Sequence, residues 1–195
     1  EPQGSMRVIR VPEDGWGEPE WVLESDFIPW RVRVLESPDG TVQPHMIGYT
    51  GGAGVYDIDD DLPALEVHWL VSEDGLDWSP AYGESSVVWT GGGSEADLAF
   101  SSEGDVIAVI RNEAGDAEGF GSLVCRGTAG SLGDWSCVHD VRKFDSPWVL
   151  SWENRIWLIA RRNVTETGAY DLEEEGLSHQ QASTRNQAAY WNEPK

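Results

Sequence analysis

Two short runs constrain this chain more than anything else in it: Val106-Ile107-Ala108-Val109-Ile110 and Ile156-Trp157-Leu158-Ile159-Ala160. Each is apolar at every position, so no register turns alternate residues to water. The β-branched and aromatic content favours strand. Such a strand needs cover on both faces, whereas a half-exposed strand alternates apolar with polar residues. The runs therefore predict sheets packed between other sheets.

Around these runs the chain repeats a strand-and-turn pattern. A strand at 30–35 leads through the tight turn Ser37-Pro38-Asp39-Gly40 into a second at 41–50. A Gly- and Asp-rich loop at 51–62 precedes strands at 65–71 and 85–90. The order recurs at 96–100, a turn at Ser102-Glu103-Gly104, then 106–110, 119–125 and 136–141. A third unit opens at 147–151, turns at Glu153-Asn154 and continues through 156–160. The turns at Gly40, Gly104 and Asn154 lie 64 and 50 residues apart, and Trp78 and Trp135 lie 57 apart. Those intervals suit propeller blades with long loops. The expectation is an all-β propeller portion of about three four-stranded blade-equivalents, with a β-sandwich as the alternative. Residues 1–26 read as outer strands of an incomplete blade, 27–93 and 94–144 as two blades, and 145–170 as inner strands of a third. Residues 171–195 read as an irregular tail holding at most a short helix around 178–189. Three blade-equivalents do not close a ring, which takes at least four. The remainder is expected from a second chain of a cleaved precursor or from a second copy.

Eleven Trp and 22 Gly among 195 residues agree with all-β structure. A formal net charge of −22 argues against nucleic acid and anionic membrane surfaces as partners. Cys125 and Cys137 flank a turn-rich stretch at 127–133. They read either as a hairpin-spanning disulfide, which suits a secreted or periplasmic protein, or as two buried thiols. Gly4-Ser5-Met6 has the form of a vector-derived remnant.

In a propeller, the first two strands of each blade bring residues to one rim. Asp26, Trp30, Arg31 and Arg33 reach it from the first unit, with His45 and Tyr49 on the returning strand. Glu95, Asp97, Arg111 and Glu113 come from the second, and Asp145, Arg161 and Arg162 from the third. The chain has only 13 basic residues, so arginines at equivalent places carry information. Guanidinium forks suit binding of carboxylates or phosphates. Glu95, Asp97 and Asp145 are the candidate catalytic carboxylates, and Arg31, Arg33, Arg111 and Arg161 the candidate substrate-binding residues. The competing reading is that these residues pair with one another to hold the rim together.

The linker Ser72-Glu73-Asp74-Gly75-Leu76-Asp77-Trp78 joins two strand runs. Asp74-Gly75 is a turn signal, Ser72 can tie the turn from its other side, and Trp78 can fold beneath it as an apolar plug. This stretch resembles the Asp-box of the sialidase superfamily, in a form one residue tighter and with Asp77 in place of the usual Thr. The likeness covers roughly residues 30–163. It implies a β-propeller and a carbohydrate-directed activity, most readily glycoside hydrolysis. A non-catalytic binding or scaffold module is the alternative. Sialidases hold the sugar carboxylate with three arginines, the first in an Arg-Ile-Pro motif. Here that place reads Trp30-Arg31-Val32-Arg33, and Asp26 is the loose counterpart of the family's acid. Their Tyr nucleophile has no clear counterpart, since Tyr170 and Tyr190 fall in the tail. The broader glycosidase-like propellers use three acidic residues at the inner rim, which Glu95, Asp97 and Asp145 resemble.

No cofactor is required by this reading, and calcium is the one the residues admit. Asp57, Asp59 and Asp61 carry oxygen donors suited to Ca²⁺, or else form a solvated acidic loop. Asn163-Val164-Thr165 fits the N-glycosylation rule.

Overall fold

The structure, a computed structural model, describes residues 4–23, 25–52, 64–161 and 167–192. Tight turns and antiparallel hairpins organise nearly all of it. The first residues form nested two-stranded pairs: β1 (Met6–Arg7) with β4 (Glu20–Trp21), and β2 (Arg10–Val11) with β3 (Gly15–Trp16).

Three antiparallel sheets follow. Sheet 1 runs β5 (Ile28–Glu36), β6 (Val42–Thr50), β7 (Leu65–Val71), with β8 (Ser79–Pro80) and β9 (Val87–Gly91) sharing the fourth place against β7. Sheet 2 is a four-stranded meander of β10 (Ala96–Phe100), β11 (Val106–Asp116), β12 (Gly119–Thr128) and β13 (Ser131–Asp140). Sheet 3 pairs β14 (Asp145–Trp152) with β15 (Arg155–Arg161). The fold is therefore all-β, built of several small sheets with none closed into a barrel. One helix, α1 (His179–Asn192), occupies much of the expected irregular tail. Ser178 and Gln181 form a capping box at its start: Ser178 N donates to Gln181 Oε1 at 2.9 Å, and Gln181 N donates back to Ser178 Oγ. No helix among the described residues is long and apolar enough to cross a membrane.

The sheets pack face upon face in chain order. Directly paired residues share a face, so the register identifies each layer. Ile47, Val67 and Trp69 of sheet 1 meet Ala96, Leu98, Val106, Ala108, Ile110 and Leu123 of sheet 2 in the main core. The opposite face of sheet 2, through Ala99 and Val109, meets Val149, Ile156 and Ala160 of sheet 3 together with Phe144. The apolar run of β11 is thus covered on both sides. Cys125 and Cys137 stand opposite each other on β12 and β13 and form a disulfide.

The 72–78 linker makes the turn its residues predict. Ser72 Oγ accepts Gly75 N at 2.8 Å, and Asp74 Oδ1 accepts Leu76 N at 2.8 Å and Asp77 N at 3.2 Å. These backbone donors hold Asp74 below the usual carboxylate range. Gly75 takes a φ of 76°, which only glycine adopts without cost. Trp78 packs on Phe27, Met46 and Leu70. Trp135, its counterpart in sheet 2, donates Nε1–H to Leu132 O at 3.0 Å and packs into the main core.

His45 lies buried on the core-facing side of β6, accepting Trp69 Nε1–H at Nδ1 across 3.0 Å. Burial, aided by the charge of Arg33, pulls its pKa down to about 4. In the unfolded chain it titrates near 6.5, so the unfolded state binds a proton that the folded state refuses. Stability is complete above pH ~6.5 and is lost as pH falls towards 4, by at most ~3 kcal/mol from this group. Denaturant unfolding at pH 7 and pH 4 should show a smaller acid loss in His45→Gln, which keeps an acceptor for Trp69. Equal losses in both proteins would remove His45 as the cause.

Candidate active site

The starts of β10 and β14 and the middle of β11 bring together residues that lie far apart in the chain. Glu95 immediately precedes β10, Arg111 and Glu113 lie on one face of β11, and Asp145 opens β14. Arg111 N donates to Glu95 O at 2.8 Å and Ser94 N donates to Arg111 O at 3.0 Å, which fixes these strand ends together.

Arg111 is the hub. Its Nη1 lies 2.5 Å from Glu95 Oε1 and its Nη2 pairs with Glu113. Its Nε stands 3.0 Å from Asp145 Oδ1. That last approach is too bent for a hydrogen bond, so it acts as an ion pair alone. Lys143, wholly buried just before β14, adds a second cation. Its Nζ lies 2.7 Å from Glu113 Oε1 and 3.5 Å from Asp145 Oδ1. The ammonium sits over the rings of Tyr190 and Tyr170, 4.1 and 4.6 Å from their centroids. Burial outweighs its acidic neighbours and lowers its pKa to about 8. Tyr190, on α1, donates its hydroxyl to Asp145 Oδ2 at 2.6 Å. Burial, then this bond, raises its pKa to about 12.

One end of the cluster opens to a cavity of about 230 Å³ between sheets 1 and 2. Glu95, Arg111 and Glu113 line it together with Ser94, Tyr49 and Ile28. Gly92 lies on its wall, where a Cβ would meet Gly115 O at 1.8 Å, so only glycine fits. Asp145, Lys143 and Tyr190 are not part of this lining and support the cluster from behind.

The other sequence candidates fall elsewhere. Asp97 lies two residues beyond Glu95 but is held in a separate arrangement with Arg33, whose Nη1 is 3.1 Å away, and with Val149 N at 2.7 Å. Burial raises Asp97 above the usual carboxylate range, with Arg33 only partly opposing it. Arg33 also donates to Leu98 O and Val149 O, each at 2.7 Å, and Arg31 donates to Pro147 O at 2.8 Å. Both arginines thus spend donors on neighbouring strands. Arg161 donates to Ser146 Oγ at 2.9 Å, while Ser146 N donates to Glu95 Oε2 at 2.9 Å. Asp26 accepts Gly51 N at 2.9 Å and serves a loop. Asp57, Asp59, Asp61, Arg162 and the 163–165 sequon lie outside the described residues. Among the described residues no cluster of three or more His, Cys, Asp or Glu side chains is arranged to hold a metal ion.

Sequence reasoning missed Lys143 and Tyr190. A lysine two residues before Asp145 in so acidic a chain was a usable signal. Tyr190 had none, because its place depends on how α1 packs. No protein-family model, curated protein or solved structure gives a significant match to this chain.

Tyr190→Phe removes the phenol from a buried carboxylate while keeping the ring over Lys143. Denaturant unfolding should show a loss of ~1.5–3 kcal/mol, the worth of a hydrogen bond to a charged group. A loss under about 0.5 kcal/mol would mean that water replaces the hydroxyl freely.

Proposed function

We propose that this chain is part of a sialidase-like β-propeller that hydrolyses glycosidic bonds in the cavity lined by Glu95, Arg111 and Glu113. One observation carries the reading: two carboxylates share one guanidinium at the wall of a cavity that also holds a Tyr and a Ser. Glycoside hydrolysis needs paired carboxyl groups. The protonated member gives its proton to the leaving oxygen as the glycosidic C–O bond breaks. The ionised member either attacks the anomeric carbon or takes a proton from the attacking water. Tyr49 offers a ring face for the sugar, and Ser94 a hydroxyl.

The geometry also bears on the substrate. Arg111 is engaged by three carboxylates, and Arg31 and Arg33 by backbone carbonyls. Arg111, the arginine that lines the cavity, has no fork left for the carboxylate of an acidic sugar, which favours a neutral substrate. A cavity of about 230 Å³ lies below the usual range for larger ligands and suits a single ring. The disulfide fits work in an oxidising compartment, secreted or periplasmic.

A second reading rests on that same saturation of Arg111 and Lys143, namely a non-catalytic binding or scaffold module whose cluster ties strand ends together. Aryl glycosides of neutral sugars, with an aryl sialoside as comparison, separate the two. Under the hydrolase reading the wild-type chain turns over a neutral glycoside. Glu95→Gln and Glu113→Gln then lower kcat by ~10²–10⁴ with little change in Tm. Absent turnover on every glycoside, with a fall of several degrees in Tm for the same variants, would select the scaffold.

A further inference from the structure

Sheet 2 shows what each face of a sheet in this molecule requires, because sheets 1 and 3 cover its two sides. Among the described residues no further sheet covers the far faces of the two end sheets, and on sheet 1 only Met46 and Leu70 are closed off there, by Leu23 and Trp78. On sheet 3 the register places Trp157 and Ile159 on the face turned from sheet 2, beside their partners Leu150 and Trp148. Trp157 is 47 % exposed and Ile159 54 %. On sheet 1 the far face carries Val32 and Val34, 54 % and 66 % exposed, with Val42 beside them. Trp78 lies on this far face, while Trp135, its counterpart, lies on the side of sheet 2 that sheet 1 covers. Sheet 1 thus presents the surface against which another sheet packs elsewhere in the molecule.

We propose that a second copy of this chain supplies the missing cover. The far face of sheet 3 in one copy packs on the far face of sheet 1 in the other, and a two-fold axis makes the contact twice. The result is a closed ring of six sheets, three from each copy. Charge selects this pairing. Strand β15 carries Arg155 and Arg161 and no acidic residue, in a chain of net charge −22. On sheet 1, Glu36 shares the face of Val32 and Val34 and pairs with Val42. Glu36 and Arg155 each border the first hairpin turn of their sheet. Those turns lie at one end of the stack, since Ser37, Pro38, Ser101 and Ser151 line a single groove of about 650 Å³. Stacking sheet 3 on sheet 1 in the sense already used between sheets 1, 2 and 3 brings Arg155 to the end that holds Glu36. The inference shares the propeller reading and is independent of turnover. Its failure appears in a mass, whereas failure of the hydrolase reading appears in an assay.

Sedimentation velocity and native mass spectrometry of the full chain, in about 0.15 M salt to screen the net charge, test it. The expected species is twice 21.5 kDa. Trp157→Glu, at an exposed position, should raise the dimer Kd about 100-fold with circular dichroism unchanged. Glu36→Arg and Arg155→Glu should each weaken the dimer, and the two together should restore it. A 21.5 kDa monomer at every concentration would overturn the proposal. A dimer indifferent to Trp157→Glu and to both charge reversals would overturn it equally.

Discussion

The side chain of Arg33 joins the first strands of all three sheets. From β5 it reaches Asp97 and Leu98 O on β10 and Val149 O on β14, while Asp97 also accepts Val149 N. Burial disfavours both charges, pulling Arg33 below its ordinary pKa and pushing Asp97 above its own. An ion pair under that desolvation contributes little net stability. Its effect is on register: Arg33 and Asp97 find these partners at one height along the neighbouring strands. A slip of one residue on β10 or β14 would turn Asp97 or shift Val149 away and strand the guanidinium. Glu95 sits two residues before Asp97, and Asp145 opens the strand that carries Val149. The convergence of Glu95, Asp145 and Arg111 therefore follows from the register that Arg33 holds.

The cluster itself is a problem of charge balance. Three carboxylates, from Glu95, Glu113 and Asp145, meet two cations, Arg111 and Lys143. The residual negative charge is shared by the phenol of Tyr190 and the amide of Ser146. Lys143 is the soft member, because an ammonium loses its proton under burial far more readily than a guanidinium. With its pKa near 8, Lys143 is the cation this cluster loses first as pH rises. Carboxylates that lose a cation hold protons more tightly. A lysine that does not line the cavity thus sets how far the charge of the cluster behind it is balanced.

Much of this architecture was legible in the sequence. The apolar runs marked β11 and β15 as strands, although of the two only β11 is covered on both faces and Trp157 and Ile159 of β15 stay about half exposed; Gly and Asp marked the turns because positive φ and local side-chain bonds require them. That Glu95, Arg111 and Asp145 meet was expected from their places on consecutive strands. The division between Glu95 and Asp97 was not, since both share a face and only their depth in the stack separates them. Helix α1 was legible only as a short helix around 178–189, and the structure carries it over His179–Asn192. Its buried residues are Ser183 and Asn186, not an apolar stripe. It is held by polar contacts, with Asn186 Oδ1 accepting Leu172 N at 3.1 Å and His179 Nε2 bonded to Ala114 O at 2.8 Å. A helix docked by hydrogen bonds gives hydrophobic periodicity nothing to detect.

The cluster and the uncovered faces lie on different parts of the stack. Every charged group in the cluster comes from β11, from the start of β14 or from the segments just before β10 and β14, and β5, β6 and β7 also contribute to the cavity wall. Val32, Val34, Trp157 and Ile159 do not line the cavity. Cover on those faces would add apolar burial without supplying any of the charges described, so it bears on stability before chemistry. The chain's acidity works against such cover by repelling a second acidic body at long range. The short-range arrangement around β15 is the exception to that acidity, since its only charges are the two arginines at its ends.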